Sequence, residues 1–324
     1  MRKIKIDSSL ISEVDSFYTS LFNGRKFSKP KTNLEELMKK RGFKIGKKHK
    51  YLKLLYDNYD TIVRLRQSEF KVWSDKFDAI IHHDVIPKKF YTKIIGALLY
   101  SKLQEKEYLI FAQQKGLKTC AYCNAALAVI VNVNYYKGRR KNVVKDRKPT
   151  FELDHFLPKS KFPFLATSFF NLLPSCSSCN KAKWSNLSDF YLYTEGNDIE
   201  VFKFWLDKLS EQKYWKSKNK EDLIIGYNYL GKSTNFKEKF DKMFSIQSLY
   251  DTQKDIVEEL IHKKEAYSNA YKSSLVSSLT SIFPDKAIID RLIIGNYSRP
   301  EEIHKRPFSK FTQDIAEHIG LIKL

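Results

Sequence analysis

The sequence predicts an α+β fold in which a short central segment containing β-strands is flanked by mainly α-helical regions. Apolar residues recur at helical spacing through the first third of the 324 residues and again near the end. Between these regions the pattern changes to runs rich in β-branched and aromatic residues. Four cysteines, grouped as two Cys-x-x-Cys pairs, lie in the same central segment. The central segment is therefore where strands and candidate ligands coincide.

The N-terminal region, residues 1–115, is predicted to be basic and mainly helical. Helical spacing is clearest from residue 51 to about residue 84, and the pattern recurs over residues 90–113. His82 and His83 fall within the first of these patterns. Because no cysteine or carboxylate pair is evident beside them, we expect surface or helix-capping residues rather than metal ligands.

The central region, residues 116–195, is predicted to contain a hairpin with a long loop. Residues 126–136 and 150–156 are strand-like, and the basic residues 137–149 between them suggest a turn-rich connection. The segment that follows residue 168 is expected to contain a short helical stretch, a cysteine turn and a final helix.

The C-terminal region, residues 196–324, is predicted to be mainly helical. Its longest helical run extends from Thr252 to about Leu279 and begins with a Thr-x-x-Asp pattern typical of a helix cap. A chain of this length is long for one compact core and short for three full ones. We therefore expect one main body with smaller appended units.

The composition points to a polyanionic partner. Lys and Arg total 58 against 37 Asp and Glu, which gives a net charge of +21. Residues 25–50 hold eleven of these cations, with Lys47 and Lys48 after the breaks at Gly42 and Gly46. This segment is either a phosphate-facing arm or an ordinary solvated surface. Without a long apolar run or a signal-peptide pattern, the expectation is a cytoplasmic protein with no membrane association.

The cysteines predict a structural zinc site. Cys120 and Cys123 form one Cys-x-x-Cys pair, and Cys176 and Cys179 form the other. Two intervening residues let a tight turn direct both sulfurs at one tetrahedral ion, and four thiolates leave no position open for water. A thioredoxin-like redox pair is the alternative, but a second matched pair and the lack of a βαβ pattern favour zinc. Disulfides are not expected in a reducing compartment.

An Asp-His pair and two asparagines accompany the second cysteine pair. Asp154 and His155 are adjacent on a predicted strand, so their side chains should point to opposite faces. Asn171 follows, then Asn180 directly after the last cysteine, and Lys183 three residues later. Polar groups of this kind are costly to bury without partners. The cluster therefore predicts a binding or reactive site, although an isolated Asp-His pair would be an ordinary surface feature.

This order of residues resembles the HNH endonucleases, also called ββα-metal nucleases. The matched pattern runs from Cys120 to Lys183, and Asn180 stands where many members of that family have histidine. The resemblance implies a zinc-stapled ββα-metal module and a metal-dependent hydrolase that cleaves phosphodiester bonds of nucleic acid, with DNA the expected substrate. The alternative is a zinc-knuckle nucleic-acid-binding or interaction subunit without catalytic activity of its own.

The resemblance also implies roles for individual residues. His155 would act as general base, which suits a near-neutral imidazole. Asp154 and Asn180 would hold one divalent ion, and their oxygen ligands suit Mg or Mn. Asn171 would brace the loop and orient the His155 ring. The lysines Lys159, Lys161 and Lys183 are either phosphate contacts or solvated side chains.

The stretch between Leu153 and Lys183 is similar to the HNH nuclease subunit of the Septu type of bacterial antiviral systems. This resemblance implies a role in antiviral defence and an ATPase partner that recruits or gates the nuclease. The aromatic and leucine-bearing helices after Asn235 are the expected docking surface. The alternative is that these helices complete the core of a larger monomer.

Overall fold

The computed structural model describes residues 1–23, 29–103, 108, 116–135, 143–231, 233, 235–279, 282–283 and 285–323. It is mostly helical, and its described strands form four two-stranded sheets. The chain divides into two compact units. One, which we call the site unit, comprises residues 4–115 and 129–197, and the other, the C-terminal unit, comprises residues 1–3, 116–128 and 198–324. The three consecutive regions expected from sequence, residues 1–115, 116–195 and 196–324, remain a prediction about the domain organisation of the chain.

The N-terminal part of the site unit is helical, as its periodicity predicted. The third helix shows why: Tyr51, Leu52, Leu55, Tyr59 and Ile62 are buried and recur along one face of a 3.6-residue helix. The end of the pattern predicted over residues 90–113 lies largely outside the described residues. The helices are α1 (Ser8–Asn23), α2 (Pro30–Lys39), α3 (Gly46–Ile62), α4 (Gln67–Asp78), α5 (Lys88–Ala97) and α6 (Tyr100–Lys102).

The strands of the site unit form three pairs. Strand β1 (Ile4–Lys5) lies parallel to β6 (Tyr193–Thr194), and β2 (Ile130–Tyr135) is antiparallel to β3 (Val143–Pro149). The third pair is β4 (Glu152–His155) with β5 (Leu172–Ser175), again antiparallel.

The pairing corrects the hairpin expected from sequence. Residues 126–136 and 150–156 were expected to pair with each other, but β2 pairs with β3, which comes from the segment expected to be only a connection. The strand that carries Asp154 pairs with residues further along the chain, at Leu173. Local composition identifies strand-forming segments, whereas the choice of partner depends on burial of the long loop that follows β4.

That loop, residues 156–171, is held by the N-terminal helices. Thr167 accepts a hydrogen bond at its carbonyl from the Tyr18 hydroxyl, and its own hydroxyl lies 2.9 Å from that of Tyr59. Phe164 stacks on Phe77 of α4 with ring centroids 4.1 Å apart. Since these contacts are buried, the helices fix the loop and with it the register of β4 and β5.

A short helix, α7 (Ser177–Lys183), follows β5 directly and packs against β4. Cys176 occupies its N-cap, where the sulfur accepts from the Cys179 N–H at 3.5 Å. The order along the chain is therefore strand, long loop, strand and helix, and this arrangement positions the candidate site.

The C-terminal unit is built around β7 (Phe202–Leu206) and β8 (Ile225–Tyr229), an antiparallel pair with Phe204 at its centre. The rings of Tyr250 and Phe311 pack on Phe204 at 4.5 and 5.2 Å. Its helices are α8 (Lys208–Ser217), α9 (Phe236–Phe244), α10 (Ile246–Asp251), α11 (Lys254–Ala266), α12 (Asn269–Leu279), α13 (Lys286–Ile294) and α14 (Ser309–His318).

The helix expected from Thr252 to Leu279 is two helices, α11 and α12. The backbone leaves the helical region at Tyr267, where φ is −99° and ψ is 73°, and Thr252 ends α10 instead of capping α11. Across the described ranges, no helix combines the length and apolar character that a membrane span requires.

Candidate functional site

The four cysteine sulfurs form a group in which every sulfur lies within 4.8 Å of the others. Each pair is held by a tight turn: the Asn124 N–H donates to Cys120 O at 2.9 Å, and the Asn180 N–H donates to Cys176 O at 2.9 Å. The group can therefore bind a metal such as zinc, as the spacing predicted.

A cleft of about 470 Å³ opens beside α7 in the site unit. Its lining comes from β4, from the start of the long loop, from α7 with the two residues after it, and from Tyr91 of α5. It includes three of the predicted catalytic residues, Asp154, His155 and Asn180, together with Glu152, Lys159 and Trp184. Asp154 and His155 were expected on opposite faces of a strand, but both border this cleft because β4 ends at His155.

Glu152 is a site residue that the sequence analysis did not single out. Its carboxylate accepts from the Asn180 side-chain amide at one oxygen and from the Ser177 hydroxyl, at 2.7 Å, at the other. The amide nitrogen of Asn180 faces Glu152, so its carbonyl oxygen is the atom available to a cation. Glu152 and Asp154 are two residues apart on β4 and therefore share one face of the strand. That i, i+2 spacing was the available sequence signal.

Asp154 pairs with a buried lysine. The Lys183 ammonium lies 3.1 Å from Asp154 Oδ2 and donates to the backbone carbonyl of His155 at 2.7 Å. Lys183 was expected to contact phosphate or solvent, but its side chain is 0% exposed. Burial lowers the Lys183 pKa, and the neighbouring Asp154 charge opposes that shift. Lys183 therefore ties α7 to β4 and is not available to a phosphate in this arrangement.

The ring of His155 is oriented by a backbone carbonyl. His155 Nε2 lies 3.0 Å from Ala166 O, and the ring packs against Tyr100 at 4.9 Å between centroids. A carbonyl oxygen only accepts, so Nε2 carries the hydrogen and the lone pair of the neutral imidazole is at Nδ1. Nδ1 is thus the atom that can take a proton.

Burial lowers the pKa of His155 well below its usual value, and the positive charge of Lys159 adds to the effect. The hydrogen bond to Ala166 opposes these causes but does not reverse them. His155 is accordingly neutral near pH 7, the protonation state that a general base requires.

Asn171 braces the start of the long loop. Its side-chain oxygen accepts from the Leu157 N–H at 2.8 Å, and its amide nitrogen donates to the carbonyls of Leu157 and Leu165, each at 3.1 Å. The side chain is fully buried and does not line the cleft. Because it fixes the segment that directly follows His155, it acts on the site through the backbone.

The other predicted lysines differ in what they contact. Lys159 lines the cleft, with its ammonium 4.8 Å from the centroid of the Tyr100 ring, whereas Lys161 pairs with Asp84 at 2.7 Å. Lys47 is exposed at the start of α3, and the Lys48 ammonium lies 5.8 Å from the Phe43 ring. Of these four, Lys159 is the one placed beside Asp154 and His155.

The cleft contains oxygen donors of the chemical kind that hard divalent cations prefer. Two carboxylates, Glu152 and Asp154, and the Asn180 amide supply oxygen atoms, the ligands that Mg and Mn prefer. A carboxylate has about four lone-pair positions, so Asp154 can accept from Lys183 and also bind a cation. This fit concerns the chemistry of the donors only.

Comparison with known proteins returns no matching family model, no matching curated protein and no matching solved structure. The interpretation of the site therefore rests on its residues and their geometry.

We expect Lys183→Met to destabilise the site unit by about 3–5 kcal/mol, because removing one partner leaves the buried Asp154 charge uncompensated. The measurement is thermal or denaturant unfolding followed through a probe in the site unit. Lys181→Met is the matched control, since Lys181 is exposed on the same helix. The double variant Lys183→Met, Asp154→Asn should recover part of the loss, and equal stability of Lys183→Met and the parent protein would contradict the buried pair.

Proposed function

We propose that this chain is a metal-dependent HNH endonuclease that hydrolyses phosphodiester bonds of nucleic acid, with DNA as the expected substrate. The observation that carries the proposal is the convergence of His155, Asp154 and Asn180 on one cleft, from a strand end and a helix that are far apart in sequence. A base with an oriented lone pair beside a cluster of oxygen donors is what hydrolysis of a phosphodiester requires.

The residues of the cleft divide the work of the reaction. His155 Nδ1 accepts a proton from water, and the resulting hydroxide attacks phosphorus while the 3′-oxygen leaves. Glu152, Asp154 and Asn180 would hold Mg or Mn, which supplies Lewis-acid stabilisation of the charge on the phosphorane and the leaving oxygen. Products should carry 5′-phosphate and 3′-hydroxyl ends.

The rim of the cleft suits a nucleic acid. Trp184 is 77% exposed and offers an aromatic face on which a base can stack, while Lys159 and Lys181 supply positive charge near the backbone. Lys159 was already a candidate phosphate contact from sequence, whereas Trp184 and Lys181 were not.

A nucleic-acid-binding module without its own catalysis is the second candidate. It is favoured by the pairing of Asp154 with Lys183 and of Asn180 with Glu152, because polar groups that pair with each other can serve folding alone. The two candidate functions differ in whether a divalent cation allows the protein to cleave the nucleic acid that it binds.

The deciding experiment incubates the purified protein with plasmid, linear and single-stranded DNA and with RNA, in Mg, in Mn and in chelator. Cleavage that needs Mg or Mn and is lost in Asp154→Asn supports the nuclease. Ser160→Ala, which alters the same cleft without removing a proposed ligand or the base, is the control. Binding without cleavage under every condition would favour the second candidate and contradict the first.

The resemblance to the Septu nuclease subunit extends the proposal to antiviral defence with an ATPase partner. The helices after Asn235, which were expected to form its docking surface, carry both buried and exposed apolar side chains. Phe236, Phe240, Phe244 and Tyr250 are buried within the C-terminal unit, where they form part of its core. Tyr271 and Leu292 are exposed, so the helices after Asn235 remain the proposed docking surface.

The basic segment that connects α2 to the first turn of α3 gives a separate prediction. Replacing Lys44 and Lys47 with glutamine should weaken binding uniformly across sequences. The slope of log affinity against log salt should fall by about 0.9 for each phosphate of duplex DNA that the variant no longer neutralises. The same double change at the exposed Lys208 and Lys216 of α8 is the control. An unchanged slope would identify the segment as an ordinary solvated surface.

A further inference from the structure

The connection between α4 and α5 brings together four potential ligand residues outside the cleft. Asp78 ends α4, and His82, His83 and Asp84 follow within six residues. Ligand atoms of Asp78, His82 and His83 lie within 4.8 Å of one another. Surface or capping histidines were expected here because no carboxylate pair is evident beside them in the sequence, but the fold places a carboxylate on each side of His83.

Asp78 orients the His83 ring. One Asp78 oxygen lies 2.7 Å from His83 Nδ1, and the other accepts from the His83 backbone N–H at 2.9 Å. A carboxylate accepts, so Nδ1 carries the ring hydrogen and Nε2 presents a lone pair. A carboxylate that fixes the tautomer of a ligating histidine in this way is a recurrent arrangement around metal ions.

Asp84 faces both imidazoles. Its Oδ2 lies 3.5 Å from His83 Nε2 and 3.8 Å from His82 Nδ1, while its other oxygen accepts from Lys161 at 2.7 Å. Ligands bound at about 2.0–2.1 Å in a tetrahedron are separated by about 3.3–3.5 Å. The Asp84 oxygen is thus nearly at ligand spacing from each of the two nitrogens, and the His82 and His83 rings stack with their centroids 4.3 Å apart.

We infer that His82, His83 and Asp84 bind a divalent transition metal of the Zn, Co or Ni class, and that Asp78 orients His83 for this purpose. Two imidazoles and one carboxylate favour these ions over Mg. The site is chemically distinct from the four-cysteine group and from the all-oxygen donors of the cleft.

Binding here would stabilise the long loop of the site unit. The His83 ring stacks on Phe162 with centroids 4.8 Å apart, and Lys161, which pairs with Asp84, belongs to the same loop. A metal that fixes the two histidines would therefore also fix the part of the loop that contains Lys161 and Phe162. This inference does not depend on the proposed nuclease activity.

The test is calorimetric titration of the full chain, with its tightly bound zinc in place, using Co or Ni. Beside any metal that the cleft takes up, we expect one equivalent per chain that is lost in His82→Ala and His83→Ala, with a tetrahedral or five-coordinate Co absorption band in the visible range. His83→Ala and His82→Ala should each lower the affinity at least 10-fold, and Asp78→Asn should lower it by about 10- to 100-fold although the ligands remain. His49→Ala, at a histidine elsewhere in the site unit, should change nothing.

Two results would overturn the inference. One is a metal stoichiometry that is the same in the parent protein and in His83→Ala at metal concentrations up to 100 times that of the protein. The other is an unchanged titration in His82→Ala, a change that folding should tolerate because this side chain is 56% exposed.

Discussion

Replacing His155 with glutamine is expected to lower the rate of phosphodiester cleavage by about 10²- to 10⁴-fold, the usual contribution of a general base. Glutamine retains a side-chain N–H that can donate to Ala166 O but has no lone pair basic enough to deprotonate water. Binding of nucleic acid should persist, since the lysines that line the cleft, Lys159 and Lys181, are unchanged. The measurement is the single-turnover rate at saturating enzyme, with affinity determined separately.

The control for this prediction is a second histidine that contacts a carbonyl. His318 Nε2 lies 2.9 Å from Leu206 O in the C-terminal unit, so His318→Gln makes the same chemical change away from the cleft. It should leave the cleavage rate within about twofold. Equal rates for the parent protein and His155→Gln would show that another group deprotonates the water.

The pH profile gives a further readout of the same base. Because burial and Lys159 lower the His155 pKa, the base stays unprotonated below pH 6.5, and the acid limb of kcat/KM should lie below that value. Lys159→Met removes one of these causes, so the His155 pKa should rise and the limb should move to higher pH. The Lys161 ammonium pairs with Asp84, so Lys161→Met should leave the acid limb of the pH profile in place.

How far sequence predicts this fold depends on whether the determining interactions are local. The helices of the first hundred residues follow from apolar spacing, because a stripe such as that of α3 is a property of one segment. The partner of β4 does not follow, since two other strand-forming segments adjoin it in sequence. Its pairing with β5 depends on the burial of residues 156–171 against α1, α3 and α4. Tyr18 of α1 and Tyr59 of α3, which contact Thr167, both precede it by more than a hundred residues.

The same distinction applies to the candidate site. Cys-x-x-Cys spacing predicted the sulfur cluster because each pair is a local turn. Lys183 was interpreted wrongly because charge suggests exposure, although it lies four residues after the buried Cys179 and hence on the same helical face. Glu152 was missed because nothing local distinguishes it from a solvated carboxylate. Its contact with Asn180 exists only once α7 packs on β4.

The largest structural effect is expected from removing a metal bound by the four cysteines. Purified protein should carry one tightly bound zinc per chain, and Cys179→Ser should yield unfolded or insoluble material, because in small cysteine turns metal binding supplies part of the folding free energy. Elemental analysis gives the stoichiometry, and unfolding in the presence and absence of chelator gives the stabilisation. Ser178→Ala, at an exposed position in the same turn, should retain both the zinc and the stability.

The reason lies in the length of α7. A seven-residue helix is not stable alone in water, so Asn180 and Lys183 keep their positions only if its first turn is fixed. Cys176 caps that turn and Cys179 lies within it, so a metal held by both sulfurs fixes the start of the helix. Removing the metal should therefore loosen the Lys183 contact with Asp154 and the Asn180 contact with Glu152 together, and the cleft should lose its donor set before the N-terminal helices unfold. Hydrogen exchange would show this as early loss of protection in residues 177–183, whereas well-folded protein without zinc and with α7 fully protected would contradict the metal's structural role.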